Sequence, residues 1–352
     1  MHPTRPPFAA AVTRLGIALL ATAVAALALA QTQPLDLEAA WRLAPEVSAD
    51  VATRQTDLDA ASRTAARTVR DPLATGLERL QADHGVAAAA AALAAAQRTA
   101  RASALQAYAG VLQAIDAEAQ AVARAVIAER NLTAAHVRHE AGTLTDLALA
   151  QAEADADVAA RAARDAATDL TFAWSDLAAV VGLDAESLRV TGIAAVPDDL
   201  PALPDLEVDL AALEGDHAGI AAAERALALA TLRLQGIDHE GSSPNAIADA
   251  RADVVSAQRR LEDARRGAFQ QLRSAHQNLL VAYGRLADAR VADAAAATTL
   301  EAQRVRWEEG ELSPIAWQQA QLDRERAAAS LRSSLHAAWT QWLRYEQTRA
   351  GG

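Results

Sequence analysis

Apolar positions along this chain recur every three to four residues over long distances. Leu105, Tyr108, Leu112, Ile115, Ala119, Val122 and Val126 step in this way, and Leu272, His276, Leu279, Tyr283 and Leu286 repeat the spacing further on. Such a period gathers residues on one face of an α-helix. The punctuation is sparse. Segments 86–141 and 245–309 hold no Pro and only isolated glycines (Gly110, Gly267 and Gly284). Each predicts a helix of roughly 80 to 95 Å at about 1.5 Å per residue. A helix starting near Leu35 is expected to end at Asp71-Pro72, because Pro lacks an amide donor and constrains its predecessor. Asp83-His84-Gly85 reads as a weaker break, and 236–244 reads as a polar loop with Ser243 or Asn245 capping the next helix.

Rods of this length do not suit a compact domain, so the expected fold is all-α: an elongated coiled-coil bundle or α-barrel of long helical hairpins. Composition agrees, with Ala, Leu, Arg, Glu and Gln dominating and aromatics at 3%. Many seam positions are Ala. Backbones can then pack closely while each residue buries less apolar surface than Leu would, and such a chain gains by assembling with copies of itself.

The chain also repeats itself. His136-Val-Arg-His-Glu-Ala-Gly142-Thr-Leu-Thr returns 168 positions later as Arg304-Val-Arg-Trp-Glu-Glu-Gly310-Glu-Leu-Ser. In the same register Gln151 meets Gln319, Asp155 meets Asp323, Arg164 meets Arg332 and Trp174 meets Trp342. A long helical run leads into each Gly and another leads out, so each Gly marks a turn between two helices. The resulting division is a signal segment at 1–30, a first helical-hairpin repeat at 31–181, a linker at 182–205 and a second repeat at 206–352.

At the N-terminus, Arg5 and Arg14 carry positive charge, 15–27 is apolar, and Ala28-Leu29-Ala30 offers a small-x-small cleavage pattern. The expectation is an exported chain whose mature form starts at Gln31; a retained anchor is the alternative, although the run is short for a span of about 20 residues. The chain has no Cys, which excludes disulfides, thiolate metal sites and cysteine nucleophiles. A net charge of −12 makes nucleic acid a poor partner.

These residues carry a resemblance. The turns Arg138-His-Glu-Ala-Gly142-Thr-Leu-Thr-Asp146 and Arg306-Trp-Glu-Glu-Gly310-Glu-Leu-Ser, the helix end Leu177-Ala-Ala-Val-Val-Gly182-Leu183 and the start Leu37-Glu-Ala-Ala-Trp41-Arg-Leu-Ala44-Pro45 together look like the TolC-like outer-membrane efflux family. The resemblance spans nearly the whole chain after residue 30. It implies three copies forming a hollow helical tube in the periplasm or at the outer membrane, working with a periplasmic adaptor and an inner-membrane transporter. It further implies that Arg138, Gly142, Thr143 and Leu144, with Arg306, Gly310, Glu311 and Leu312, form the tip that docks the adaptor. One departure stands out. Family members insert two membrane-spanning strands between the first and second helix of each repeat. Here 71–85 and 236–244 are too short for a pair of strands of about 9–11 residues each. No β-barrel is expected, and association with the outer membrane is left open.

Other local signals are weak. His136 and His139 stand one helical turn apart, but the second copy has Arg304 and Trp307 there, so no metal is assigned. Asp155, Asp157, Asp165 and Asp169 are candidates to line a tunnel and select cations, with a solvated helix face as the alternative. Arg138 and Arg306 either bind a partner or neutralise helix C-termini. Trp174 and Trp342 are expected in the bundle core. No phosphate loop, nucleophile elbow or catalytic constellation occurs, so neither an enzyme nor a bound cofactor is expected. The function read from the sequence is an efflux conduit component; the alternatives are a non-conducting envelope scaffold and, lacking the strand-rich domains it would need, a pump adaptor.

Overall fold

The computed structural model describes residues 34–239 and 241–351; the signal segment read at 1–30 lies outside the described residues. Among these residues the chain forms α1 (Leu37–Val47), α2 (Ala49–Arg70), α3 (Gly76–Glu140), α4 (Asp146–Val181), α5 (Ala185–Thr191), α6 (Leu206–Asp216), α7 (Ala218–Ile237), α8 (Pro244–Glu308) and α9 (Pro314–Ala350). The described residues contain no strand beyond one isolated parallel bridge between Leu35 and Ile193. No helix among them is long and apolar enough to cross a membrane.

The two long helices each have 65 residues, and their bounds differ by the same 168 positions as the sequence repeat. At about 1.5 Å per residue each is roughly 98 Å long. α3 starts in a capping box: the Thr75 hydroxyl accepts from the Glu78 amide, and the Glu78 carboxylate accepts from the Thr75 amide at 2.7 Å. It then runs on through Asp83-His84-Gly85, so the break expected there is absent. A single mid-helix Gly costs only about 1 kcal/mol, which the adjoining run of alanines offsets. The same reasoning lets α3 pass Gly110 and α8 pass Gly267 and Gly284.

A second difference concerns the first helix of each repeat, which breaks into two. Ser48 and His217 adopt extended backbone; the Ser48 hydroxyl accepts from the Val51 amide and His217 Nδ1 from the Ile220 amide at 3.3 Å. The helix expected to run from near Leu35 to Asp71 is therefore α1 plus α2, with Pro45 removing one ladder donor just before the break. The segments between the paired helices of each repeat are short turns, 71–75 and 238–243, with no room for a membrane hairpin.

The long helices lie in a row ordered α4, α3, α9, α8. Asp116 on α3 pairs with Arg332 and the Arg98 carbonyl meets Gln347, so α3 and α9 are antiparallel. Asp293 pairs with Arg324 and His276 meets Tyr345, so α8 is antiparallel to α9 and parallel to α3. Both repeated turns thus sit at the same end. Near the midpoint of the two 65-residue helices one core gathers Leu37, Tyr108, Trp174, Leu177 and Trp339, and a second gathers Leu213, Ile220, Leu272, Leu279 and Tyr345. Tyr283 and Trp342 touch both cores, and Trp41, Trp339 and Trp342 meet edge to face.

The linker is strapped over these cores. Its carbonyls at Ala194, Pro197, Pro201 and Pro204 meet Tyr108 Oη, Trp339 Nε1, Tyr283 Oη and His276 Nε2 at 2.5, 3.0, 2.7 and 3.2 Å. Side chains from both repeats hold it, which satisfies a backbone with almost no partners of its own.

Candidate functional site

Gly142 and Gly310 have φ of +72° and +77°, a left-handed conformation that other residues adopt only with strain. The amides of Gly142 and Thr143 donate to the carbonyls of His139 and Arg138, and those of Gly310 and Glu311 to the carbonyls of Trp307 and Arg306. This is a Schellman stop, which satisfies carbonyls that the ending helix leaves open. Thr145 and Ser313 then cap α4 and α9 by accepting from Ala148 and Ala316. Each tip is therefore a rigid five-residue turn, 141–145 or 309–313, between two capped helices.

The two tips are braced differently. Across the first turn, His139 Nε2 lies 2.7 Å from Asp146 Oδ1. Across the second, the Trp307 and Trp317 rings stack at 6.4 Å with an 8° interplanar angle. Arg306 also reaches Glu311 at 3.4 Å, an exposed pair that adds little to the closure made by the backbone. Thr143 bonds the Arg138 carbonyl through its hydroxyl as well, while the Arg138 side chain is exposed. Leu144 and Leu312 are half-buried, and Val137, Leu147 and Val305 are exposed beside them. Arg306 and Leu312 also line a cavity of about 520 Å³ between α8 and α9, with Gln319, Asp323 and Arg324.

The turn residues are thus brought together at one end of the bundle. The four carboxylates are not brought together in the same way. All four lie exposed on α4. At about 100° per residue, Asp155, Asp165 and Asp169 fall within an arc of roughly 80°, whereas Asp157 lies outside it, about 120° from its middle. Asp155 accepts from Gln151 at 2.9 Å, and Asp323 from Gln319 at 3.0 Å in the second copy. Among the described residues no cluster of three or more His, Cys, Asp and Glu is placed to hold a metal; His136 is exposed and His139 is held by Asp146.

Sequence reasoning missed three features. Trp307 and Trp317 flank Gly310, a pairing that their positions on either side of the turn could have signalled. A bidentate ion pair, Arg332 to Asp116 at 2.9 and 2.6 Å, ties the second repeat to the first. Near it, His336 is 3% exposed, its Nδ1 has no hydrogen-bond partner, and it lines a cavity of about 570 Å³ between α3, α4 and α9. Burial pushes its pKa below the ordinary histidine value, with Asp116 pulling it up and Arg332 pushing it down.

No protein-family model matches the chain, and no curated protein matches its sequence. Solved structures do match. The chain is similar to the CmeC outer membrane channel of Campylobacter jejuni, at a TM-score of 0.65 and 12% identity over 90% of this chain and 86% of that one. It is similar to the outer membrane protein VceC of Vibrio cholerae, at 0.60 and 15% identity over 90% and 96%. It is also similar to a membrane protein from Pseudomonas aeruginosa, at 0.64 and 15% identity over 90% of each chain. The duplicated hairpins, the two tips at one end and these likenesses agree that the chain has the helical fold of the TolC-like outer-membrane channels, without strands among its described residues.

Proposed function

We propose that this chain is a structural component of an efflux conduit in the cell envelope. Copies assemble head to tail, three to a ring as the resemblance implies, and enclose a helical tube. The tips at Arg138, Gly142, Thr143 and Leu144 and at Arg306, Gly310, Glu311 and Leu312 dock a periplasmic adaptor of an inner-membrane transporter. The reading assigns the chain no catalytic step.

One observation carries it: the row α4, α3, α9, α8 is open at both ends. Within the chain, α9 of the second repeat packs on α3 of the first. The corresponding pair, α4 and α8, are the two ends of the row and do not meet. Two complementary ends on one chain make a heterologous interface, and such an interface builds a ring when its rotation divides a full turn and a filament otherwise. The exposed apolar residues Val137, Leu147 and Val305 support docking at the tips, since a rigid, capped turn loses little entropy on binding.

A specific observation favours a second reading, a scaffold that does not conduct across the outer membrane: 71–75 and 238–243 are short turns where the resembled channels carry membrane strands. Removal of the chain from its host separates the two. A conduit component leaves cells accumulating a fluorescent efflux substrate, and wild type restores export while a Gly142→Pro, Gly310→Pro double variant does not. Unchanged accumulation after removal favours the scaffold.

A further inference from the structure

The two repeats carry the same groove between the long helix and its return helix, and only in the first does a long helix of the other repeat add a third wall. In the first repeat, Ser103, Gln106 and Gly110 of α3 and Ala173 and Asp176 of α4 form two walls. Ser333, His336, Ala337 and Thr340 of α9 form the third. In the second repeat, Gln271, Ser274 and Asn278 of α8 and Gln341 and Arg344 of α9 line a groove of about 530 Å³. The shift of 168 carries Ser103 to Gln271, Gln106 to Ser274, Gly110 to Asn278, Ala173 to Gln341 and Asp176 to Arg344. The walls correspond residue by residue, and the groove's acid is replaced by a base.

The same shift identifies what would form the missing wall. Ser333, His336, Ala337 and Thr340 correspond to Asp165, Thr168, Asp169 and Phe172 of α4. Those four residues share one face of α4 and are exposed, Phe172 at 63%. α4 lies at the opposite end of the row from α8, so it does not reach the groove of its own chain. The charges match: the groove offers Arg344, and the α4 face offers two carboxylates. None of the three has an ion-pair partner among the described residues. The apolar pattern matches as well. Val281 and Val291 are exposed on α8 at the positions of Gln113 and Ala123, which face α9 across the grooves of the first repeat.

We infer that Asp165, Asp169 and Phe172 are contact residues between copies: they close the groove between α8 and α9 of a second copy, with the carboxylates on Arg344 and the Phe172 ring against the uncovered helix face. This rests on the head-to-tail assembly proposed above, and it replaces the tunnel-lining role expected for Asp165 and Asp169. The pairing works as a register key. Acids on one end and a base on the other disfavour contacts between like ends and select the order in which copies join.

The absence of Cys makes the test clean. Single-cysteine full-length chains, Asp169→Cys and Arg344→Cys, are treated with a short bis-maleimide separately and mixed. Cross-linked dimer is expected from the mixture only. In parallel, the dissociation constant of the assembly is measured by sedimentation. Arg344→Glu alone and Asp165→Arg with Asp169→Arg should each weaken it about tenfold or more, and all three changes together should restore most of the loss. Circular dichroism verifies that each variant is folded. Cross-linking within either single variant, or assembly indifferent to all three reversals, overturns the inference while leaving the conduit reading standing. A wild-type chain that stays monomeric overturns both.

Discussion

The Arg332 guanidinium on α9 grips the Asp116 carboxylate on α3 through two hydrogen bonds, joining helices through residues 216 positions apart in the sequence. The position equivalent to Arg332 in the first repeat, Arg164, has no ion pair among the described residues. One of the two repeat joints is thus closed inside the chain, and its counterpart is open.

A double-mutant cycle on Asp116→Asn and Arg332→Met should show coupling of about 1 kcal/mol. Bidentate geometry strengthens the pair, but Arg332 is 40% exposed and water screens it. Urea denaturation of the four proteins measures the coupling, and additive effects would show that the joint rests on packing alone.

Glycine replacements should separate backbone strain from crowding. Gly142, Gly310 and Gly182 share a positive φ, yet a Cβ meets nothing within 4 Å at the first two and lies 2.5 Å from Val47 Cγ2 at the third. Gly142→Ala should cost about 1 kcal/mol and Gly182→Ala about 3, because Val47 is β-branched and stiff. Chemical denaturation distinguishes the two.

Much of this was legible in the sequence, and the reasons differ by element. Gly142 and Gly310 betrayed their turns because a Schellman stop needs the left-handed region, and both copies put the one suitable residue there. Pro72 marked the end of α2 for a different reason, the missing amide donor, and Pro244, read as the last loop residue, instead opens α8, where that donor has no partner. Ser48 and His217 did not betray the breaks they make: a lone Ser or His in a helical run is usually solvated, and only tertiary packing turns it into a cap. Asp83-His84-Gly85 misled in the opposite direction, because three weak helix formers are outweighed by the alanines beyond them. A spacing of four puts Asp165 and Asp169 on one face of a helix, but it does not say what covers that face. The covering element belongs to the other end of the repeat order, which a one-dimensional pattern does not contain.

Tyr108→Phe should loosen the linker strap. The hydroxyl sits between the Leu35 and Ala194 carbonyls, at 2.9 and 2.5 Å; the Leu35 carbonyl keeps the Ala194 amide, so the loss falls on the Ala194 carbonyl at a cost of about 1–3 kcal/mol. Limited proteolysis should cut the 192–205 region sooner in this variant. An unchanged cleavage rate would mean that the bridge between Leu35 and Ile193 holds the segment unaided.

Stability should fall on acidification through the histidine range. Burial lowers the folded pKa of His336 and of His217 below the free value. The unfolded chain therefore takes up protons first as the pH drops below about 6.5, and stability that is full above that value declines until the lower folded pKa is reached. Denaturation midpoints between pH 8 and pH 5 should show this slope, and His336→Gln should flatten it. A slope unaffected by His336→Gln would place the loss on other groups.

The most direct measurement is electron microscopy of the purified mature protein in detergent-free buffer, with its mass determined in the same solution. Expected is a ring of three copies, twelve long helices around an axial hole, each α4 lying against the α8 of its neighbour. A monomer, or an assembly with a filled axis, would contradict a head-to-tail conduit.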